Sequence, residues 1–198
     1  MGLIDTHEAI KNEKQRLRSQ YRKLLKSFSD AELAIKSESI SLKLQAYLSR
    51  WSQPSVGVYS PLKDEVIWNQ SAHLKIQDWL YPAMTVDGMK YFRCRPEELV
   101  VRTEDFGIDL RVPPTSAPEV TPDIVLVPGL AFDKNGVRLG RGGGFFDRYF
   151  SEYRGLKLGL CFDQQWCQFL PCETHDQKMD ALLTETQLIE VSPFKESE

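Results

Sequence analysis

The chain has 198 residues, 41% of them hydrophobic and 27% charged, and 25 Lys and Arg against 28 Asp and Glu give a formal net charge of −3. That balance is the composition of an ordinary globular protein and argues against disorder, collagen and coiled coil, while the mild acidity argues against a general nucleic-acid binder. No stretch approaches the roughly 20 apolar residues of a membrane span, the opening MGLIDTHEAIKNEKQR has no apolar signal segment, and the four cysteines (Cys94, Cys161, Cys167, Cys172) lack CxxC spacing, so they read as reduced thiols in a cytoplasmic protein.

Along the chain, residues 10–28 contain neither Pro nor Gly. Leu17, Tyr21, Leu24, Leu25 and Phe28 fall within roughly 100° of a helical wheel, which predicts a helix docked on a core. Lys11, Lys14, Arg18 and Arg22 occupy the adjoining arc of roughly 80°. They are either a solvated face or, for Lys14 and Arg18, two cations one turn apart that reach a shared anion. A second helix is expected over residues 30–49, with Asp30 as candidate N-cap. Leu33, Ile40, Leu44 and Leu48 would face inward, and Glu32, Lys36 and Lys43 would face water. Residues 55–60 read as a short buried strand and residues 66–74 as weakly helical. Residues 79–84 and 89–94, joined by Asp87-Gly88, read as a hairpin. Residues 96–122 carry Pro96, Pro113, Pro114, Pro118 and Pro122 and read as loop. Residues 123–128 (DIVLVP) and 156–162 (LKLGLCF) read as buried strands, and residues 181–184 and 188–191 as short final ones. Strands alternating with helices predict a single α/β domain over residues 1–198, a three-layer α/β/α arrangement around a mostly parallel or mixed central sheet.

Residues 133–148, DKNGVRLGRGGGFFDR, carry the strongest chemical signal. Gly140, Gly142, Gly143 and Gly144 precede what reads as the start of a helix at Phe145. Exposed backbone N–H groups before a helix form a phosphate site, and Arg138 and Arg141 add mobile positive charge. The run matches neither GxxxxGK[ST] nor a complete GxGxxG. A flexible surface loop is the plainer reading, although flexible linkers mix Gly with Ser rather than with Arg and Phe. Asp147, one turn into the helix, is a dipole partner or, beside phosphates, a carboxylate for Mg2+. Glu173, His175, Asp176 and Asp180 lie on a second loop between strand candidates. No Ser/His/Asp order, Cys nucleophile or zinc spacing emerges, so covalent catalysis by the protein is not indicated.

The segment RLGRGGGFFDR (residues 138–148), preceded by DIVLVPGLAFD (residues 123–133), resembles the signature of the 5-formyltetrahydrofolate cyclo-ligase (5,10-methenyltetrahydrofolate synthetase) family. The resemblance runs over nearly the whole chain: Lys14-x-x-x-Arg18, Val58-Tyr59-Ser60-Pro61 with Asp64-Glu65, Gly159, Phe162 and Gln165, then Leu170-Pro171, His175-Asp176, Asp180 and Thr184-Glu185. It implies an enzyme that uses ATP and Mg2+ to convert 5-formyltetrahydrofolate, with or without a polyglutamate tail, to 5,10-methenyltetrahydrofolate with release of ADP and phosphate; a monomer is expected. It also implies Lys14, Arg18, Arg138, Leu139, Gly140, Arg141, Gly142, Gly143, Gly144, Phe145 and Phe146 at ATP, with Lys14, Arg18 and Arg141 catalytic. Arg18, Glu65, Met89, Arg141, Gly142, Gly143, Gly144 and Phe145 fall to the folate, Phe106 adds a further apolar wall, and Asp147 and Asp176 match the metal positions. The chain departs from the family where Gly107-Ile-Asp-Leu-Arg111 replaces a Gly-Ile-x-Glu-Pro stretch. That departure favours one other reading, a different ATP-dependent ligase on the same scaffold; a further one, a folate- or nucleotide-binding paralogue without this activity, is opposed by the retention of Lys14, Arg18, Asp147 and Asp176 together.

Overall fold

A computed structural model describes residues 6–70, 74, 76, 78–104 and 108–191. Helix α1 (Thr6–Lys26) starts before its apolar stripe does, with Glu8 in its first turn and Lys23 and Lys26 in its last, each suited to the helix dipole. Tyr21 and Leu25 are buried, and Leu17, Leu24 and Phe28 pack partly buried against the same core. Helix α2 (Asp30–Leu48) is capped by Ser29 rather than Asp30. The Ser29 hydroxyl accepts the Glu32 N–H at 3.3 Å and the Glu32 carboxylate accepts the Ser29 N–H at 2.8 Å, a reciprocal capping box that leaves Asp30 in the first turn.

Among the described residues twelve strands follow in three sheets: β1 (Ser55–Gly57), β2 (Asp78–Thr85), β3 (Gly88–Arg93), β4 (Val100–Glu104), β5 (Ile108–Val112), β6 (Ile124–Val127), β7 (Ala131–Asp133), β8 (Arg138–Leu139), β9 (Leu156–Leu160), β10 (Trp166–Cys167), β11 (Ala181–Leu183) and β12 (Leu188–Glu190). A short helix, α3 (Phe145–Phe150), sits between β8 and β9. The main sheet has the order β12-β11-β9-β6-β1-β2-β3. Its five central strands pair in parallel, and antiparallel β12 and β3 close the two edges. Ile124 and Leu126 of β6 join the core formed with α1 and α2, whereas Val125 and Val127 join the one formed with Phe150 of α3. All four are buried, contributing roughly 1.5–3 kcal/mol each. Helices therefore cover both faces, and the layered α/β expectation holds.

Several local expectations change. Residues 66–70 form no helix: Ser41 Oγ donates to the Trp68 carbonyl at 2.7 Å, Ser37 Oγ accepts the Ile67 N–H at 3.1 Å, and Trp68 Nε1 donates to the Tyr59 carbonyl at 2.7 Å. The segment is a set of turns hung on α2, and its apolar residues are anchors rather than a helical face. The loop expected over residues 96–122 contains a turn of 3-10 helix (Pro96–Glu98) and the β4–β5 hairpin. Lys36 and Lys43 of α2 do not face open water, since Lys36 pairs with Glu185 and Lys43 Nζ donates to the Thr186 carbonyl at 3.4 Å. Pro82 is accommodated inside β2 because β1 pairs only with Asp78, Trp79 and Leu80, leaving that flank of β2 free at Pro82. The four cysteines are free, and no described helix is long and apolar enough to cross a membrane.

Candidate active site

The chain leaves β6 at Pro128-Gly129, turns through the β7–β8 hairpin and enters the glycine loop. Asp133, fully buried, holds this geometry: Oδ1 accepts the N–H groups of Asn135 (2.8 Å) and Val137 (3.0 Å), and Oδ2 accepts that of Leu170 (3.0 Å). One carboxylate thus shapes the hairpin and fixes the start of the second loop. Gln165 does the same on the other side, donating to the Gly129 carbonyl at 2.7 Å while its oxygen accepts the Phe162 N–H at 2.8 Å. In the loop, Gly142 (φ 111°) and Gly144 (φ 66°) adopt the left-handed conformations that favour glycine. A Cβ at Gly140 would lie 2.7 Å from Arg138 Nη1, so the guanidinium packs against that residue in space a side chain would need. Because α3 has only six residues, the positive charge of the site resides in side chains more than in a helix dipole.

Helix α1 supplies three of those side chains, one turn apart. Lys14 Nζ donates to Asp176 Oδ2 (2.5 Å) and Glu173 Oε2 (2.7 Å), Arg18 Nε to the Gly140 carbonyl (3.0 Å), and Arg22 Nη2 to the Arg141 carbonyl (3.0 Å). Lys14, Arg18 and Arg22 of the basic arc thus meet the loops, while Lys11 is exposed. Lys14 is buried, and although desolvation opposes its charge, the hydrogen bonds it donates to Asp176 and Glu173 raise its pKa on balance. On the facing wall Arg141 bridges two acids, with Nε 2.9 Å from Glu65 Oε1 and Nη2 2.6 Å from Asp64 Oδ1. Burial raises the Glu65 carboxyl pKa against the pull of Arg141. Arg138 donates from Nη2 to Asp147 Oδ2 at 2.9 Å and stacks 5.3 Å above the Phe146 ring, while its Nε is buried without a hydrogen-bond partner. Burial pushes the Arg138 guanidinium pKa down, with Asp147 working the other way.

These groups surround one cavity of about 310 Å3, and the sequence-predicted residues Lys14, Arg18, Glu65, Arg138 through Phe146, Asp147 and Asp176 all line it. Met89 does not: on β3 it is half-buried against the cluster that holds Phe146. Phe106 lies outside the described residues. Asp64, Arg22, Asp133 and Glu173 were not among the predicted site residues. Of these, Asp64 and Glu173 had a signal in their motifs, and Arg22 had one in the basic arc.

Carboxylates suit a hard divalent cation. Asp147 and Asp176 share the cavity, and Asp147 Oδ1 accepts the Gln177 N–H at 3.3 Å, so the two acids meet at one wall. Among the described residues, the group whose ligand atoms all lie within 4.8 Å of one another is Glu173, His175 and Asp176, and Asp147 is not part of it.

Fold and cleft together define an α/β protein with a cleft between its N-terminal helix and a glycine loop, lined by Lys14, Arg18, Arg138 and Arg141. The comparisons narrow this class. The family described as "5-formyltetrahydrofolate cyclo-ligase family" matches residues 10–185. The 5-formyltetrahydrofolate cyclo-ligase of Mus musculus is 26% identical over 196 residues, covering 89% of this chain and 95% of the mouse protein. That of Saccharomyces cerevisiae is 28% identical over 198 residues, covering 86% and 94%. The solution structure of Aquifex aeolicus 5,10-methenyltetrahydrofolate synthetase superposes with a TM-score of 0.78 at 27% identity, covering 93% of this chain and 96% of that one. The chain belongs to the 5-formyltetrahydrofolate cyclo-ligase family.

Proposed function

We propose that this cleft converts 5-formyltetrahydrofolate to 5,10-methenyltetrahydrofolate at the expense of ATP, with residues 1–198 acting as one catalytic unit. The observation that carries the reading is the convergence of Lys14, Arg18, Arg138 and Arg141 on a glycine loop inside a chain of this family. Phosphoryl transfer to a substrate oxygen needs positioning and charge stabilisation rather than a protein nucleophile, and the cleft offers cations and backbone donors but no such nucleophile in the sequence pattern.

In this reading the loop from Arg138 to Phe146 wraps the triphosphate, with Lys14 and Arg18 closing over it from α1. Asp147 and Asp176 would hold Mg2+, which supplies positive charge to the phosphate oxygens. Each of these acids is ion-paired in the structure, Asp147 with Arg138 and Asp176 with Lys14, so an acid that turns to a metal frees a cation for phosphate. The formyl oxygen forms a bond to the γ-phosphorus as the bond to the β,γ-bridging oxygen breaks and ADP leaves. N10 then bonds to the activated carbon and gives up its proton, and phosphate departs with the carbon–oxygen electron pair as the ring closes. Glu65, buried and held by Arg141, is placed to accept hydrogen bonds from the pterin, and Phe145 and Phe146 offer it apolar surface.

The test mixes purified protein, Mg-ATP and 5-formyltetrahydrofolate and follows methenyl product by absorbance. ATP-dependent product is expected, and its absence would remove the proposal. Loss of Asp147 as Asp147→Ala is expected to cut turnover steeply, an effect that partly recovers at high Mg2+, and near-normal turnover at limiting Mg2+ would refute its role.

A further inference from the structure

We infer that Glu173 is a positioning residue for Lys14: it keeps the ammonium at the phosphate end of the cleft when Asp176 is engaged elsewhere. The inference rests on the ATP-binding reading above and adds to it a residue and a division of labour between two neighbouring acids.

The two acids are held differently. Asp176 uses a single oxygen, Oδ2, for both Lys14 Nζ (2.5 Å) and the backbone N–H of Glu173 (2.7 Å), and its Oδ1 lies 3.9 Å from His175 Nε2. Asp176 therefore holds Lys14 through one oxygen that a second donor shares. Glu173 is held at both oxygens from the same helix: Oε2 accepts Lys14 Nζ at 2.7 Å, and Oε1 lies 2.9 Å from His7 Nδ1. His7 and Lys14 stand about two turns apart on α1, so Glu173 braces that helix against the second loop at two heights. The brace is itself stiffened by the turn in which the Asp176 N–H donates to the Glu173 carbonyl at 3.1 Å. Only 7% of the Lys14 side chain is exposed, and an ammonium this buried that loses both its carboxylates is left uncompensated, a costly state that its side chain escapes by moving. Asp176 is the acid at the family's metal position. Once it is committed there, Glu173 is the remaining carboxylate within reach of Lys14, and it fixes where the charge sits.

The experiment compares wild type with Glu173→Gln, Glu173→Asp and Glu173→Ala, using steady-state kinetics in both substrates and direct titration of Mg-ADP followed by tryptophan fluorescence. Glu173→Gln keeps the shape and removes the charge. It is expected to raise KM for Mg-ATP and Kd for Mg-ADP by at least about tenfold, because hydrogen bonds to charged groups carry about that much. KM for 5-formyltetrahydrofolate should move by less than about twofold, and Glu173→Asp should recover most of the nucleotide affinity. A merely structural role would move both substrates together and lower the melting temperature without rescue by Asp, and that result overturns the inference. So does a Glu173→Gln variant within about twofold of wild type for both nucleotides. If Glu173→Ala fails to fold, the Gln and Asp variants carry the comparison alone. Should the wild type bind Mg-ADP yet form no methenyl product, the functional reading falls while the titration still decides the role of Glu173.

Discussion

Arg141 holds Asp64 and Glu65 at once through the fork of its guanidinium, and at the same time its own carbonyl is held by Arg22. A lysine is a point charge on a flexible stem and cannot span both acids. Arg141→Lys is therefore expected to lower kcat/KM by at least about tenfold, with little change in melting temperature, and a variant within about twofold of wild type would reduce Arg141 to a simple counter-charge. The residue types of this site were legible in the sequence because glycine, arginine and aromatic residues crowded into one short run have few structural uses. Their pairings were not. Lys14 reads from its helical position as a rim residue, yet it is buried, because its partners Glu173 and Asp176 lie 159 and 162 residues away and no local pattern announces them. Arg138 carries the same lesson, since only the folded loop reveals that it lies on Gly140.

At the level of elements, the start of α2 was misread by one residue, and the reason is chemical. Asp30 is an acceptable cap, but Ser29 followed by Glu32 makes a reciprocal box that Asp30 cannot. Ser29→Ala is expected to destabilise the protein by about 1 kcal/mol, lowering the melting temperature by roughly 2–4 °C, measured by thermal unfolding near neutral pH. The hydrogen bond from the Ser29 N–H, followed by that of its hydroxyl, holds the Glu32 carboxyl below its ordinary pKa. A depressed carboxyl stabilises the fold at pH above its unfolded value, and that contribution is lost as pH falls through the folded value. The difference between wild type and Ser29→Ala should accordingly shrink in acid, and a gap that widens there would contradict the box. The β4–β5 hairpin was missed because prolines mark its surroundings: Pro96, Pro113 and Pro114 stand just outside the strands they seemed to forbid. The parallel strands were easy to see, since burial on both faces leaves runs such as IVLV with no polar interruption.

Across the whole molecule the sheet separates two cores, and the four thiols report on both. Burial pushes the pKa of Cys94 to about 11 and raises that of Cys161 further, and burial also raises those of Cys167 and Cys172. Because the thiolate is the nucleophile, each upward shift leaves less reactive form at pH 8. A disulfide reagent should label the folded protein slowly, faster as pH rises, and count four thiols once denaturant is added; rapid labelling of Cys161 in the native state would mean that β9 opens readily. The layered architecture was readable from alternation and apolar runs, but which helix covers which face depended on contacts distant in sequence. Those contacts also set an order in time. The contacts by which α1 seals the cleft join residues 119 to 166 positions apart, from Arg22 with Arg141 to His7 with Glu173. Ring closure over such spans costs more chain entropy than the neighbouring strand pairings do. During synthesis α1 emerges before residues 140–176 exist to receive its basic side chains, whereas part of the core its apolar stripe joins lies in α2, which follows it directly. Closure of the cleft by α1 thus depends on residues made more than a hundred positions later.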